Sequence, residues 1–344
     1  MNPDPNLVAK PILEVENLCV DINVPSGVLH AVQNVSFSLA KGETLCIVGE
    51  SGCGKSITAL SLMNLLPKTA SRSADKLKLD GRDLRGLRES EMSDLRGDRM
   101  AMIFQEPMTS LNPAYTIGNQ LEEAMKRHRN VGTRQARDRA VYLLEKVGIT
   151  GARSRLGQYP HQLSGGLRQR VMIAMSLMCD PALILADEPT TALDVTIQAQ
   201  ILHLLADLRD EFATSLILIT HDLGIVARVA DRVAVMYAGE FVETGTTEQV
   251  FNAPSHPYTQ GLLRCIPIPG KTKRGEHLGA IQGIVPNLVG KIEGCRFADR
   301  CPHVHDACRT GEIALCPAFE ASHQFRCVLS PEACASNLKS GKAA

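Results

Sequence analysis

The run Gly49-Glu50-Ser51-Gly52-Cys53-Gly54-Lys55-Ser56 constrains this chain more than any other feature. It fits the phosphate-loop pattern, in which two glycines bracket a turn and Lys-Ser follows. The apolar run Leu45-Cys46-Ile47-Val48 precedes it, and an apolar-rich stretch from Ile57 to Leu66 follows it. A strand–loop–helix unit is therefore expected, and with it an α/β fold. Glycines let the backbone turn tightly so that its N–H groups face a phosphate, and the helix N-terminus adds positive potential. Lys55 is expected on the β- and γ-phosphates and the Ser56 hydroxyl on Mg²⁺. The bland alternative is an ordinary Gly-rich turn.

A second run, Leu183-Ile184-Leu185-Ala186-Asp187-Glu188, ends a buried-strand pattern in two carboxylates. Asp187 at such a strand end suits the Mg²⁺ shell. Glu188 suits the polarisation of an attacking water. Taken alone, the pair also reads as a helix cap before Pro189; beside a phosphate loop, the catalytic reading gains weight.

The rest of the chain supplies a sheet and its helices. Residues 12–48 read as strands, broken by a turn at Pro25-Ser26-Gly27. Met100–Phe104, Ala182–Ala186 and Ser215–Thr220 read as buried strands, with a helix over Thr196–Phe212. Residues 115–160 carry part of an apolar stripe at Ala124, Val141, Leu144 and Val147, and Val171–Cys179 continues as helix. Residues 233–244 read as a hairpin. With 344 residues and 44% apolar content, a sizeable core is possible. The 37 basic and 37 acidic residues cancel, and there is no Trp, so neither charge nor stacking favours nucleic acid as a partner. The N-terminus has no secretion-signal pattern. The most apolar stretch, Val171 to Ala186, is interrupted by Asp180 and Pro181. A soluble or peripheral protein is expected.

Further motifs carry a family resemblance. Leu163-Ser164-Gly165-Gly166-Leu167-Arg168-Gln169-Arg170 resembles the signature motif of ATP-binding cassette proteins. Gln105 resembles the Q-loop glutamine, Thr191-Ala192-Leu193-Asp194 the D-loop, and His221 the switch histidine. The resemblance covers about residues 12–250. It implies a phosphate-loop NTPase of the cassette type, with an N-terminal antiparallel β subdomain and a helical subdomain at about 106–178. It further implies that Ser164, Gly165 and Gly166 close over the γ-phosphate held by an opposite subunit. Glu188, His221 and Gln105 would be catalytic, Ser56, Gln105 and Asp187 would hold Mg²⁺, and Asp194 would pass the state of one site to the other. One departure concerns adenine. The family's usual stacking aromatic falls near Ile22, so apolar packing and loose base selectivity are expected.

Gln105-Glu106-Pro107-Met108-Thr109-Ser110-Leu111-Asn112-Pro113, Pro160-His161-Gln162 and Ser255-His256-Pro257-Tyr258-Thr259 resemble ATPase subunits of dipeptide and oligopeptide importers. That implies a second ATP-binding subunit, two transmembrane permeases, an external peptide-binding protein, and a peripheral position on the cytoplasmic face of the cell membrane. A groove in the helical region 106–162 would receive a short permease helix. The alternatives are a soluble cassette ATPase uncoupled from transport, and an importer of nickel or haem-related compounds.

The composition shifts after about residue 255, and Cys295, Cys301 and Cys308 follow, with Cys327 further on. The expected division is a flexible N-terminus at 1–11, a cassette at 12–262 and a cysteine-rich appendage at 263–344. The resemblance to peptide-importer ATPases implies a [4Fe–4S] cluster on Cys295, Cys301, Cys308 and Cys327. Cys316 is the competing fourth ligand, and His303 and His305 keep a mixed zinc site open, as do unligated thiols. Cys19, Cys46 and Cys179 read as core residues. Cys53 reads as alkylation-sensitive, because helix N-termini lower thiol pKa. The charge run Lys126-Arg127-His128-Arg129 reads as a solvated helix face.

Overall fold

The structure, a computed structural model, describes residues 10–190, 194–265 and 281–334. The D-loop run Thr191-Ala192-Leu193 and the N-terminal residues 1–9 lie outside the described residues. The chain divides into two compact units, one of residues 1–14, 38–44 and 77–219, the other of residues 15–37, 45–76 and 220–344.

In the first unit, strand Leu183–Asp187 runs parallel to Met100–Ile103 on one side and to Ser215–Thr220 on the other. Every residue of the middle strand is buried. An uninterrupted apolar run is what a strand covered on both faces requires. Helices Ile117–Arg129, Thr133–Lys146 and Gly165–Ser176 pack on one another. Leu121, Ala140, Leu144 and Ile173 are fully buried among them. Val141 and Val147 of the expected stripe are buried, while Ala124 is half-buried. The basic run ends helix Ile117–Arg129, where cations complement the helix dipole. Lys126 pairs with Glu122 and Arg127 with Asp94. The last helix begins at Gly165, well before the expected Val171, because the Ser164 hydroxyl caps it by accepting from Leu167 N–H at 3.4 Å.

In the second unit, strands Leu13–Val24 and Gly27–Leu39 neighbour one another, and Cys19–Ile22 pairs antiparallel with Ala70–Ser73. Leu45–Val48 runs parallel to Arg232–Val235. Strands Arg232–Tyr237 and Glu240–Thr246 form the expected hairpin. Ala238 and Gly239 connect them with φ of 48° and 86°, the two positive values that a tight hairpin turn needs. The C-terminal segment extends the same sheet: Gln324 and Phe325 pair antiparallel with Thr244 and Glu243, and with Cys316 and Pro317. Glu243, fully buried, meets His323 at 2.7 Å and accepts the Ser255 and His256 N–H groups at 2.7 and 2.8 Å. No helix among the described residues is long and apolar enough to cross a membrane.

Candidate nucleotide site and cysteine cavity

The strand Thr44–Val48 delivers the chain into the loop at Gly49, and helix Lys55–Leu62 takes it out. Two positions require glycine. A Cβ on Gly49 would meet Met236 O at 2.2 Å, and one on Gly54, at φ 106°, would meet Ala31 O at 2.5 Å. No side chain caps the helix start. Gly54 stands at the N-cap and carries no side chain, so backbone alone lines this side of the helix start, where the positive end of the helix favours an anion. Lys55 is buried and folds back, its Nζ donating to Gly49 O and Glu50 O at 2.9 Å each. Gly239 N–H donates to Cys53 O at 2.9 Å, so the hairpin turn braces the loop. Ser51 and Gly52 are exposed, and Ser56 is half-buried.

Cys53 corrects the expectation of a reactive thiol. It is fully buried, and burial pushes its thiol up, against the lowering effect of Lys55. The free position in the motif points inward, so desolvation outweighs the helix terminus. Cys46 and Cys179 are buried as expected, while Cys19 is half-buried and its thiol donates to Asn34 Oδ1 at 3.4 Å.

The first unit carries the acidic strand end. Asp187 is buried at the last position of its strand. Glu188 follows with φ 43°, in a region that non-glycine residues seldom occupy. Its N–H donates to Ile219 O at 2.9 Å, and its Oε2 accepts from Gln105 Nε2 at 3.2 Å. Gln105 lies just past the neighbouring strand, Met100–Ile103, and is exposed. Ser164 and Gly165 are exposed and Gly166 half-buried at the start of their helix. Asp194 caps helix Val195–Phe212 by accepting from Ile197 N–H at 3.0 Å. His221 is exposed, immediately after strand Ser215–Thr220.

Near the C-terminus, Cys295, Cys301, Cys308 and Cys327 line one small cavity with Phe297 and Leu329, and His303 joins them. Burial first, and then the neighbouring thiols, pushes Cys295 up to about 12. The same burial takes Cys301 to about 11. Cys316 is exposed and is not part of this cavity wall. Among the described residues, no group of three or more His, Cys, Asp or Glu side chains is gathered closely enough to hold a metal ion. The thiols thus share a cavity without forming a coordination sphere.

Two residues that the sequence motifs did not assign to the loop touch it directly. Tyr258 Oη accepts the Glu50 N–H at 2.9 Å, and Arg300 pairs with the Glu50 carboxylate. Tyr258 lies in one of the runs that carries the family resemblance, which was the available signal; nothing in sequence pointed to Arg300.

Comparison with known proteins bears directly on this arrangement. The ABC transporter family profile matches residues 32–191, and that of the oligopeptide/dipeptide transporter C-terminal region matches residues 242–308. The oligopeptide transport ATP-binding protein AppD of Bacillus subtilis is 49% identical over 93% of this chain and 97% of its own. The chain belongs to the ABC transporter ATP-binding proteins, in their oligopeptide/dipeptide branch. The dipeptide transport ATP-binding protein DppD of Escherichia coli is 49% identical over 88% of this chain and 92% of its own. Among solved structures, the ADP- and phosphate-bound dimer of the cassette MJ0796 superposes with a TM-score of 0.61 at 26% identity, covering 68% of this chain and 98% of that one. The ABC ATPase fold read from the motifs is thereby established.

Proposed function

We propose that this chain is the ATP-hydrolysing subunit that powers inward transport of dipeptides or oligopeptides. The observation that carries this is the phosphate loop, with buried Lys55 and glycine at the helix N-cap, in a chain that matches peptide-transport ATP-binding proteins along nearly its whole length. Residues Gly49 to Ser56 bind the phosphates. Ser56, Asp187 and Gln105 would hold Mg²⁺, and a bound Mg²⁺ would supply neutralisation of the charge that develops on the phosphates. Glu188 polarises the attacking water, and His221 orients it against the γ-phosphate. Ser164, Gly165 and Gly166 of one subunit close over nucleotide held by a second ATP-binding subunit, and Asp194 links the two sites.

The partners in this reading are that second subunit, two transmembrane permeases and an external peptide-binding protein, with the chain peripheral on the cytoplasmic face of the membrane. A groove of about 980 Å³ in the helical region supports a permease dock. Arg96, Asn112, Tyr115, Gln120 and Arg127 are among its lining residues. Tyr115 is 54% exposed, an aromatic available to a partner helix.

The cysteine cavity is read as the seat of a [4Fe–4S] cluster on Cys295, Cys301, Cys308 and Cys327. Soft thiolates suit such a group, and the four thiols line one cavity, although they would have to draw together to form its coordination sphere. When bound it would supply covalent ties between distant parts of the C-terminal segment. Anaerobic purification followed by iron and acid-labile sulfide analysis tests this; absence of both rules it out.

The transport reading is tested by tagging the chain and purifying it from membranes. Two polytopic proteins are expected to accompany it, and Lys55→Ala is expected to abolish uptake of labelled dipeptide. Normal uptake in that variant overturns the assignment.

A further inference from the structure

We propose that Arg300 is a positioning residue for the phosphate loop, and that through it the cysteine-bearing turn sets the affinity for ATP. The inference rests on the ATPase reading of the loop and goes beyond it.

Arg300 ends the short helical turn Ala298–Arg300, directly before Cys301. Its side chain is 4% exposed. A guanidinium carries five N–H donors, and here all five are engaged. Nε donates to Gln282 O at 2.8 Å. Nη1 donates to Glu50 Oε2 at 2.6 Å and Tyr237 Oη at 3.4 Å. Nη2 donates to Glu50 Oε1 at 2.9 Å and Ile281 O at 3.2 Å. The pair with Glu50 is therefore a two-bond fork, whose geometry fixes the carboxylate as well as neutralising it.

Glu50 is held at three points. Its carboxylate takes the fork, its N–H donates to Tyr258 Oη, and its C=O accepts from Lys55 Nζ. Two of these three holds, the fork and the tyrosine hydroxyl, come from the C-terminal half of the chain, and the third comes from Lys55 of the loop itself. Tyr258 and Tyr237 join Phe297 in one aromatic cluster. Phe297, between Cys295 and Cys301, packs edge-on against Tyr237 at 5.2 Å and against Tyr258 at 5.4 Å. A displacement of the turn would move Arg300 and both tyrosines together.

Charge gives the arrangement its consequence. A carboxylate in an anion-binding loop repels a triphosphate. Phosphate recognition does not require Glu at this position, which is variable in the motif. Arg300 neutralises it at short range from a buried site, where screening by salt is weak. Removing Arg300 frees the carboxylate and leaves its charge beside the phosphates.

The experiment is titration calorimetry of Mg-ATP into the full chain. Arg300→Gln is expected to raise Kd roughly tenfold, the scale of one uncompensated charge several ångström from the phosphates at a high effective dielectric. Adding Glu50→Gln to it removes the repelling charge, and the double variant is expected to return to within about threefold of the unaltered chain by the logic of a double-mutant cycle. A residue that only stabilised the fold would give no such rescue. Arg309→Gln, which breaks an exposed pair with Asp299 in the same segment, is the control and is expected to bind normally. If Arg300→Gln does not yield folded protein, Arg300→Lys keeps the charge without the fork and is expected to weaken ATP by roughly threefold. A Kd unchanged in the Arg300 variants, or a double variant no better than Arg300→Gln, overturns the proposal. Failure of the unaltered chain to bind ATP more tightly than Lys55→Ala would sink the ATPase reading itself.

Discussion

Gln105 donates an Nε2 hydrogen to Glu188 Oε2 across 3.2 Å, joining the residues that follow two neighbouring parallel strands. The carboxylate is aimed by this bond, and its backbone is held at φ 43° by the bond from its N–H to Ile219 O. A non-glycine residue kept in that region marks a position over-determined by its surroundings, as catalytic positions often are.

Glu188→Gln is therefore expected to keep the fold and ATP binding while lowering turnover by roughly 10²–10⁴-fold, the span associated with a lost general base. Phosphate release measures the loss, and gel filtration with ATP is expected to reveal an accumulated dimer. Gln105→Ala removes this one bond to the carboxylate and is expected to lower kcat by a smaller factor. Full turnover in Glu188→Gln removes that residue from the chemistry.

Gly49→Ala tests how closely the loop is packed. The added Cβ would meet Met236 O at 2.2 Å, and backbone cannot swing aside as a side-chain tip can. The loop must shift, with a destabilisation of about 1–3 kcal/mol expected for an overpacked site. Denaturant unfolding reads that cost, and ATP affinity is expected to fall with it. A variant with unchanged stability and affinity would mean that the loop relaxes freely.

Sequence carried the cassette motifs because each is a short run whose spacing is itself the chemistry. Loop, strand end and signature could be read without knowing what lies across the fold. Helix limits were less legible. The helix after the loop runs Lys55–Leu62 rather than starting at Ile57, and it stops before Asn64, which has φ 53°. The grip on Glu50 was not legible at all. Arg300 lies 250 positions away and sits in a segment without periodicity, so only the folded chain brings its fork to the carboxylate. The buried Glu243–His323 pair was missed for the same reason. Cys53 was misread because a motif's variable position says nothing about which way its side chain points.

That buried thiol gives a direct chemical prediction. Thiolate is the reactive form, and burial disfavours it. Under native conditions, N-ethylmaleimide is expected to label exposed Cys316 fast and Cys53 at least roughly tenfold more slowly, as thiolate fraction and access dictate. In denaturant the two rates should converge. Mass spectrometry of labelled peptides measures both, and rapid native labelling of Cys53 would contradict its burial.

His256 supplies a pH signature. It is buried, it caps helix Pro257–Arg264, and its Nδ1 accepts the Tyr258 N–H at 3.1 Å, which requires an unprotonated Nδ1. Burial, and then the charge of Arg326, pushes its pKa down from 6.5 to about 3. Above the unfolded value both states are neutral and the shift has no effect. Below it the unfolded chain binds a proton that the folded chain refuses, so stability falls as pH drops from about 6.5 towards 3. Between pH 7 and pH 5 this amounts to about 2 kcal/mol. His256→Asn retains an acceptor suited to the helix start and removes the titration. Denaturant midpoints across that range are expected to fall more steeply for the unaltered chain than for His256→Asn. Parallel profiles would mean that His256 is protonated within the fold, and that the Tyr258 N–H finds another acceptor.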